Sequence, residues 1–80
     1  MNTDDRIKKV LSELFALTPD SVTSEFSMKT HTPWNSLMHL TVVLSLEDEF
    51  GVQFSDTESV ALTGYHQIRE TLQGKGVSAE

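Results

Sequence analysis

"TPWNSLMHLTVVLSLEDEFG", residues 32–51, is the stretch on which the reading of this chain turns. Asn35 is a good helix N-cap, because its side-chain oxygen can accept a backbone N–H two or three residues on. Gly51 is a good terminator, because glycine enters the left-handed conformation that closes a helix without penalty. Between them, residues 36–50 read as one helix. On a wheel of about 100° per residue with Leu46 at the origin, His39, Val42, Val43 and Phe50 fall within about 60° of it. They form the core stripe. Leu37, Thr41, Leu44 and Asp48 fall within about 40° of the opposite pole by the same geometry. Two leucines edged by Glu47 and Asp48 thus face away from the core, as a docking face for another protein would.

Ser36 takes the first helical position, beside the positive end of the helix dipole. An anionic group attached to its hydroxyl, such as a phosphodiester, would meet free N–H groups and a favourable field there. By itself a serine at this position is an ordinary helix-start residue, and "NSL" alone identifies nothing.

Working outward, "DDRIKKVLSELFAL" places Ile7, Val10, Leu11, Leu14 and Phe15 at the spacing of an amphipathic helix, with Asn2 to Asp5 supplying caps and negative charge at its start. "TPDS" ends it. Residues 18–35 form a long connection, rich in Ser, Thr and Pro, that Val22, Phe26, Met28 and Trp34 pin to the core. Ser55 and Glu58 in "SDTESVAL" make a capping box and announce a short helix. The last helix, "GYHQIRETLQ", turns Tyr65, Ile68 and Leu72 inward and ends at Gly74, and "GKGVSAE" reads as a frayed tail. The expected fold is all-α, a small bundle of three main helices plus one short helix with a long first loop. Its domain covers residues 1–73, with 74–80 as a flexible C-terminal tail.

Eighty residues make one domain, and at this size a core yields only about 3–5 kcal/mol of net stability. Cysteine is absent, so disulfides, thiolate chemistry and zinc-finger spacing are excluded. No run approaches the ~20 apolar residues of a membrane span, and "MNTDDRIKKV" lacks the core of a signal peptide. A cytoplasmic location is expected.

The net charge is −6. Acids and bases cancel in residues 1–19 and 61–80. The excess is Asp20, Glu25, Glu47, Asp48, Glu49, Asp56 and Glu58 against Lys29 alone. Such a surface repels phosphate backbones and attracts basic patches on proteins. Nucleic acid is not an expected partner, and neither is a membrane.

Length, charge placement, helix order and the position of Ser36 together resemble the acyl carrier proteins and their peptidyl carrier relatives, over roughly residues 4–73. That family carries "DSL" or "DSM" at the start of its second helix and an "LE-x-x-FG"-like end. Here the corresponding segment is "WNSLMHLTVVLSLEDEFGVQFSDTESV". Its "W-x-S-L-x-H-L" opening is especially similar to free-standing carriers and carrier domains of specialised metabolism.

The resemblance implies that Ser36 is joined through a phosphodiester to 4'-phosphopantetheine, taken from coenzyme A by a separate phosphopantetheinyl transferase. The thiol of that arm would hold an acyl or aminoacyl group as a thioester in polyketide, nonribosomal peptide or fatty-acid-type biosynthesis. Leu37, Thr41, Leu44, Glu47 and Asp48 match the helix face on which transferases, synthases and acyl-loading enzymes with basic patches dock. The family's usual residue before the serine is Asp. Asn35 stands there instead and caps a helix comparably well. A monomer is expected.

Catalysis by the chain itself is not expected. His31, His39 and His66 do not group with Ser36 as a nucleophile and its base would. His39 reads as a satisfied core histidine, and His31 and His66 as surface residues. No metal site is expected, and "EDE" at 47–49 lacks the spacing of a calcium loop. The rival to a carrier is a non-covalent acidic interaction module. The two differ at one atom, the Ser36 hydroxyl, which only a carrier requires.

Overall fold

The computed structural model describes residues 3–76. The periodicity of the first segment produces α1 (Thr3–Leu14), whose Ile7, Val10 and Leu11 are buried. Asn2, expected to help cap it, lies outside the described residues. α1 stops short of the proline that should have ended it. Ala16 adopts the left-handed conformation (φ 55°), and the Leu17 N–H donates to the Ser12 carbonyl at 2.8 Å. This is a Schellman closure made by alanine where glycine is the usual residue. Phe15 therefore leaves the helix, yet it still packs against the core with Leu14 and Leu17.

The connection to α2 (Ser36–Phe50) is ordered through its buried side chains and carries one short 3-10 turn, Pro19–Ser21. Val22, Phe26 and Trp34 are buried and Met28 packs on them, as expected. Phe15, Phe26 and Trp34 meet ring to ring at 5.7–5.8 Å. Backbone bonds tie the loop to the other end of the chain. The Met28 N–H donates to the Thr63 carbonyl at 2.9 Å, and the Tyr65 N–H donates to the Phe26 carbonyl at 2.8 Å. Gly64 permits this approach: a Cβ there would lie 3.0 Å from Ser27 Cβ and 3.2 Å from the Phe26 carbonyl oxygen.

α2 contributes Val42, Val43 and Leu46 to the core. α4 (Tyr65–Gly74) contributes Tyr65, Ile68 and Leu72, and Leu62 joins them from the preceding turn. Gly51 (φ 63°) closes α2, with the Val52 N–H donating back to the Glu47 carbonyl. Polar contacts then lock helix to helix. Arg6 Nε lies 3.0 Å from Glu49 Oε2, with its guanidinium over the Phe50 ring. Tyr65 Oη donates to Asp4 Oδ1 at 2.8 Å, and Arg69 Nε stands 3.3 Å from the same oxygen. Burial first, and the Asp4 carboxylate second, push the Tyr65 phenol well above its ordinary pKa.

α3 (Asp56–Ala61) is short and buries none of its own residues. Both halves of the expected capping box are present: the Ser55 N–H donates to Glu58 Oε1 at 2.9 Å, and the Glu58 N–H donates to Ser55 Oγ at 3.2 Å. Lys75 Nζ adds an ion pair with Glu58 at 2.8 Å. A tail beginning at residue 74 therefore needs correcting at its start. Gly74 is the last residue of α4, and Lys75 caps that helix with its N–H while its side chain is held by α3. Residues 77–80 lie outside the described residues.

The result is a small all-α bundle of three main helices and one short one. Among the described residues there is no strand, only a single antiparallel bridge between Ser27 and Gly64. None of the helices among the described residues is long and apolar enough to cross a membrane.

Candidate functional site at the start of the second helix

Trp34, Asn35 and Ser36 make the transition from loop to α2. Asn35 is extended (φ −102°, ψ −174°), and its Oδ1 accepts the Met38 N–H at 2.9 Å while its carbonyl accepts the His39 N–H at 2.8 Å. Those two bonds occupy the third and fourth N–H groups of the helix start. The N–H groups of Ser36 and Leu37 have no carbonyl one turn earlier to bond, as at every helix beginning. Ser36 is exposed, and no acidic residue lies in the first turn. A phosphodiester on the Ser36 hydroxyl fits this setting. It would project into solvent, meet the positive end of a 15-residue helix and encounter no carboxylate in that turn.

The residue just before this start is anchored from behind. The Trp34 indole is only 1% exposed, and its Nε1–H donates to His39 Nδ1 at 3.1 Å. His39 Nε2 stands 2.6 Å from the Ser59 carbonyl of α3. An indole N–H only donates and a carbonyl only accepts, so the contacts assign His39 the neutral Nε2–H tautomer. His39 is satisfied, as expected, but it is half-buried at the edge of the core, where it bridges three elements. Neither ring nitrogen is left to serve as a base for Ser36.

The outward face of α2 matches the wheel. Leu37 and Leu44 are 83% and 57% exposed, and Thr41 and Asp48 are exposed beside them. Glu47 does not share this freedom, since its Oε2 accepts the Phe54 N–H at 2.8 Å and fastens the loop after α2. Two apolar residues escaped the sequence reading: Leu40 (63% exposed) and Val60 (74%). Leu40 sits about 120° from Leu46, on the flank between the two stripes. Val60 belongs to a helix too short to show a period. They are the sequence neighbours of His39 and Ser59, whose contact joins α2 to α3.

His31 corrects its expected place on the surface. Its ring is wedged against Phe15 and Phe26, each centroid 4.9 Å away, and its Nε2 is buried without a hydrogen-bond partner. These two aromatic neighbours, both outside the local "KTHTP", supply the apolar setting that it does not announce. His66 does lie at the surface, paired with Glu70 one turn on. Among the described residues, no group of three or more His, Cys, Asp or Glu side chains is placed to hold a metal ion. Comparison of the chain with models of known protein families finds no match.

Proposed function

We propose that this protein is a carrier of the acyl or peptidyl carrier type, with 4'-phosphopantetheine attached to Ser36. The observation that carries the reading is the exposed Ser36 hydroxyl at the first position of α2, capped by Asn35 and free of first-turn carboxylates. On a separate transferase, Ser36 Oγ would attack the pantetheine-side phosphorus of the coenzyme A pyrophosphate. The phosphoanhydride bond breaks, adenosine 3',5'-bisphosphate leaves, and the hydroxyl proton passes to a base of the transferase. The helix start would hold the resulting phosphodiester. When bound, the arm supplies the thiol on which acyl or aminoacyl cargo rides as a thioester. Leu37, Leu40, Thr41 and Leu44 provide the apolar centre of a docking face, with Asp48 at its rim. Basic patches on loading, synthase or transferase enzymes would meet it, with salt-sensitive encounter. The setting expected for it is cytoplasmic biosynthesis.

Intact mass after incubation with coenzyme A, magnesium and a broad-specificity phosphopantetheinyl transferase tests this. Gain of one phosphopantetheinyl group by the native chain, and none by Ser36→Ala, is the expected result. If neither the native chain nor Asn35→Asp gains mass with several transferases, the carrier reading falls. The second reading, a non-covalent docking module, is favoured in that case by the same exposed leucines, which do not depend on Ser36.

A further inference from the structure

The covalent reading uses Ser36 and the outward face of α2 but leaves Trp34, His39 and Ser59 without a role. Their arrangement is more than packing. Trp34 and His39 flank Asn35 and Ser36 in sequence, and the Nε1–H···Nδ1 bond of 3.1 Å closes a ring of chain around the helix start. The two rings are also nearly parallel, at 23° with centroids 6.1 Å apart. On its other edge His39 reaches the Ser59 carbonyl, which also takes the Leu62 N–H at 3.3 Å. That carbonyl lies in the last turn of α3, where helix carbonyls lack intrahelical partners and a donor side chain is favourable.

α3 has little else to hold it. It buries no residue between Asp56 and Ala61, and among the described residues its other side-chain tie to a distant residue is the Glu58–Lys75 ion pair, a partly exposed pair of the kind that contributes little. Elements with few buried contacts open most readily.

We infer that His39 is a positioning residue: as the neutral Nε2–H tautomer it clasps the Trp34 turn and α3 together, and so fixes the Ser36 end of α2 relative to α3. Its use in modification rests on the carrier reading; the clasp itself does not. Whatever enzyme approaches Ser36 meets a surface on which the helix start and the exposed Leu40 and Val60 keep one relative placement because this ring joins the elements behind them.

The test uses the native chain, His39→Gln and His39→Leu. Glutamine retains one acceptor and one donor group, whereas leucine removes both. In the unmodified native protein, nitrogen chemical shifts of His39 at neutral pH should show Nε2 protonated and Nδ1 unprotonated. Amide exchange across residues 56–62 should rise about tenfold or more in His39→Leu, with smaller changes in α1 and α4, and glutamine should restore much of the protection. Emission from Trp34, the single tryptophan, should move in the leucine variant and return towards native in the glutamine variant. With transferase and coenzyme A, the initial transfer rate should fall in His39→Leu and recover in His39→Gln.

An Nδ1–H tautomer in the native protein overturns the clasp, even if both variants fail to fold. So does exchange that rises equally in every helix, which would mark a merely structural histidine. If the native chain takes no phosphopantetheine, the carrier reading fails alone, and the shifts and exchange still judge the clasp.

Discussion

Tyr65 Oη donates to Asp4 Oδ1 at 2.8 Å across 61 residues of chain, closing the first helix onto the last. Tyr65→Phe removes that bond and leaves the Asp4 carboxylate with Arg69, at an expected cost of about 1–2 kcal/mol in urea unfolding. The phenol's pKa is raised by burial and by Asp4. As pH rises, the unfolded chain therefore loses the tyrosine proton first, near pH 10. The contribution is complete below that point and declines above it. Urea midpoints from about pH 8 to about pH 11 should fall more steeply for the native chain than for Tyr65→Phe.

Glu58 shows the opposite sign. Its carboxyl is held below the usual value of 4.5 by Lys75 first and by the Ser55 N–H next. On acidification the unfolded chain takes up the proton first, so this contribution is present above 4.5 and is lost as pH falls through the lower folded value. Glu58→Gln should flatten the acid limb of the stability profile. Because the pair is partly exposed, added salt should shrink the difference between the two chains. A native acid limb identical to that of the variant would refute the assignment.

Two helix ends form a reciprocal pair. Gly51 sits at φ 63° with nothing within 4 Å of an added Cβ, so Gly51→Ala is opposed by backbone conformation alone, about 1–2 kcal/mol. Ala16 sits at φ 55° already bearing a Cβ, and Ala16→Gly should raise stability by up to about 1 kcal/mol. Thermal melts of the two single variants should move in opposite directions.

Gly64 is restrictive for a different reason. Its backbone is extended, so the strain is steric: an added Cβ would meet Gln67 Oε1 at 2.8 Å, Ser27 Cβ at 3.0 Å and the Phe26 carbonyl at 3.2 Å. Gly64→Ala should destabilise by about 1–3 kcal/mol. Adding Gln67→Ala should recover only part of that loss, since the loop backbone remains in the way. Full recovery would place the whole conflict on the flexible amide.

The outward leucines should separate recognition from stability. Leu37→Ala and Leu44→Ala are expected to shift stability by less than about 0.5 kcal/mol, whereas Leu46→Ala, fully buried, should lose about 2–5 kcal/mol. On the carrier reading, the first two should raise KM for the transferase or a loading enzyme while the fold, followed by circular dichroism, is unchanged. An equal loss of stability at all three positions would contradict the two-faced helix.

Elements governed by local chemistry were legible in the sequence. Asn35, Gly51 and the Ser55–Glu58 pair act on their own backbone, and the wheel placed Leu37 and Leu44 outward because a helix repeats regularly. The end of α1 was not legible, because an alanine in the left-handed conformation carries no local signal. Nor were the burial of His31, the use of Glu47 on the Phe54 N–H or the bridge from His39 to Ser59. Each depends on a partner brought close by the fold. The exposed place of Ser36 at the start of α2 follows from the Asn35 cap; the contact from Trp34 through His39 to Ser59 emerges only when α3 is in position.

The division of α2 has a consequence for how such a chain can change. Val42, Val43 and Leu46 answer to the fold, while Leu37, Leu40, Thr41, Leu44 and Asp48 answer to nothing inside it. If that face docks partners as proposed, a library confined to those five outward positions would alter what it selects at little cost to the stability of an 80-residue bundle. On the carrier reading, new partners are within reach by single substitutions on one side of a helix whose other side is constrained by packing.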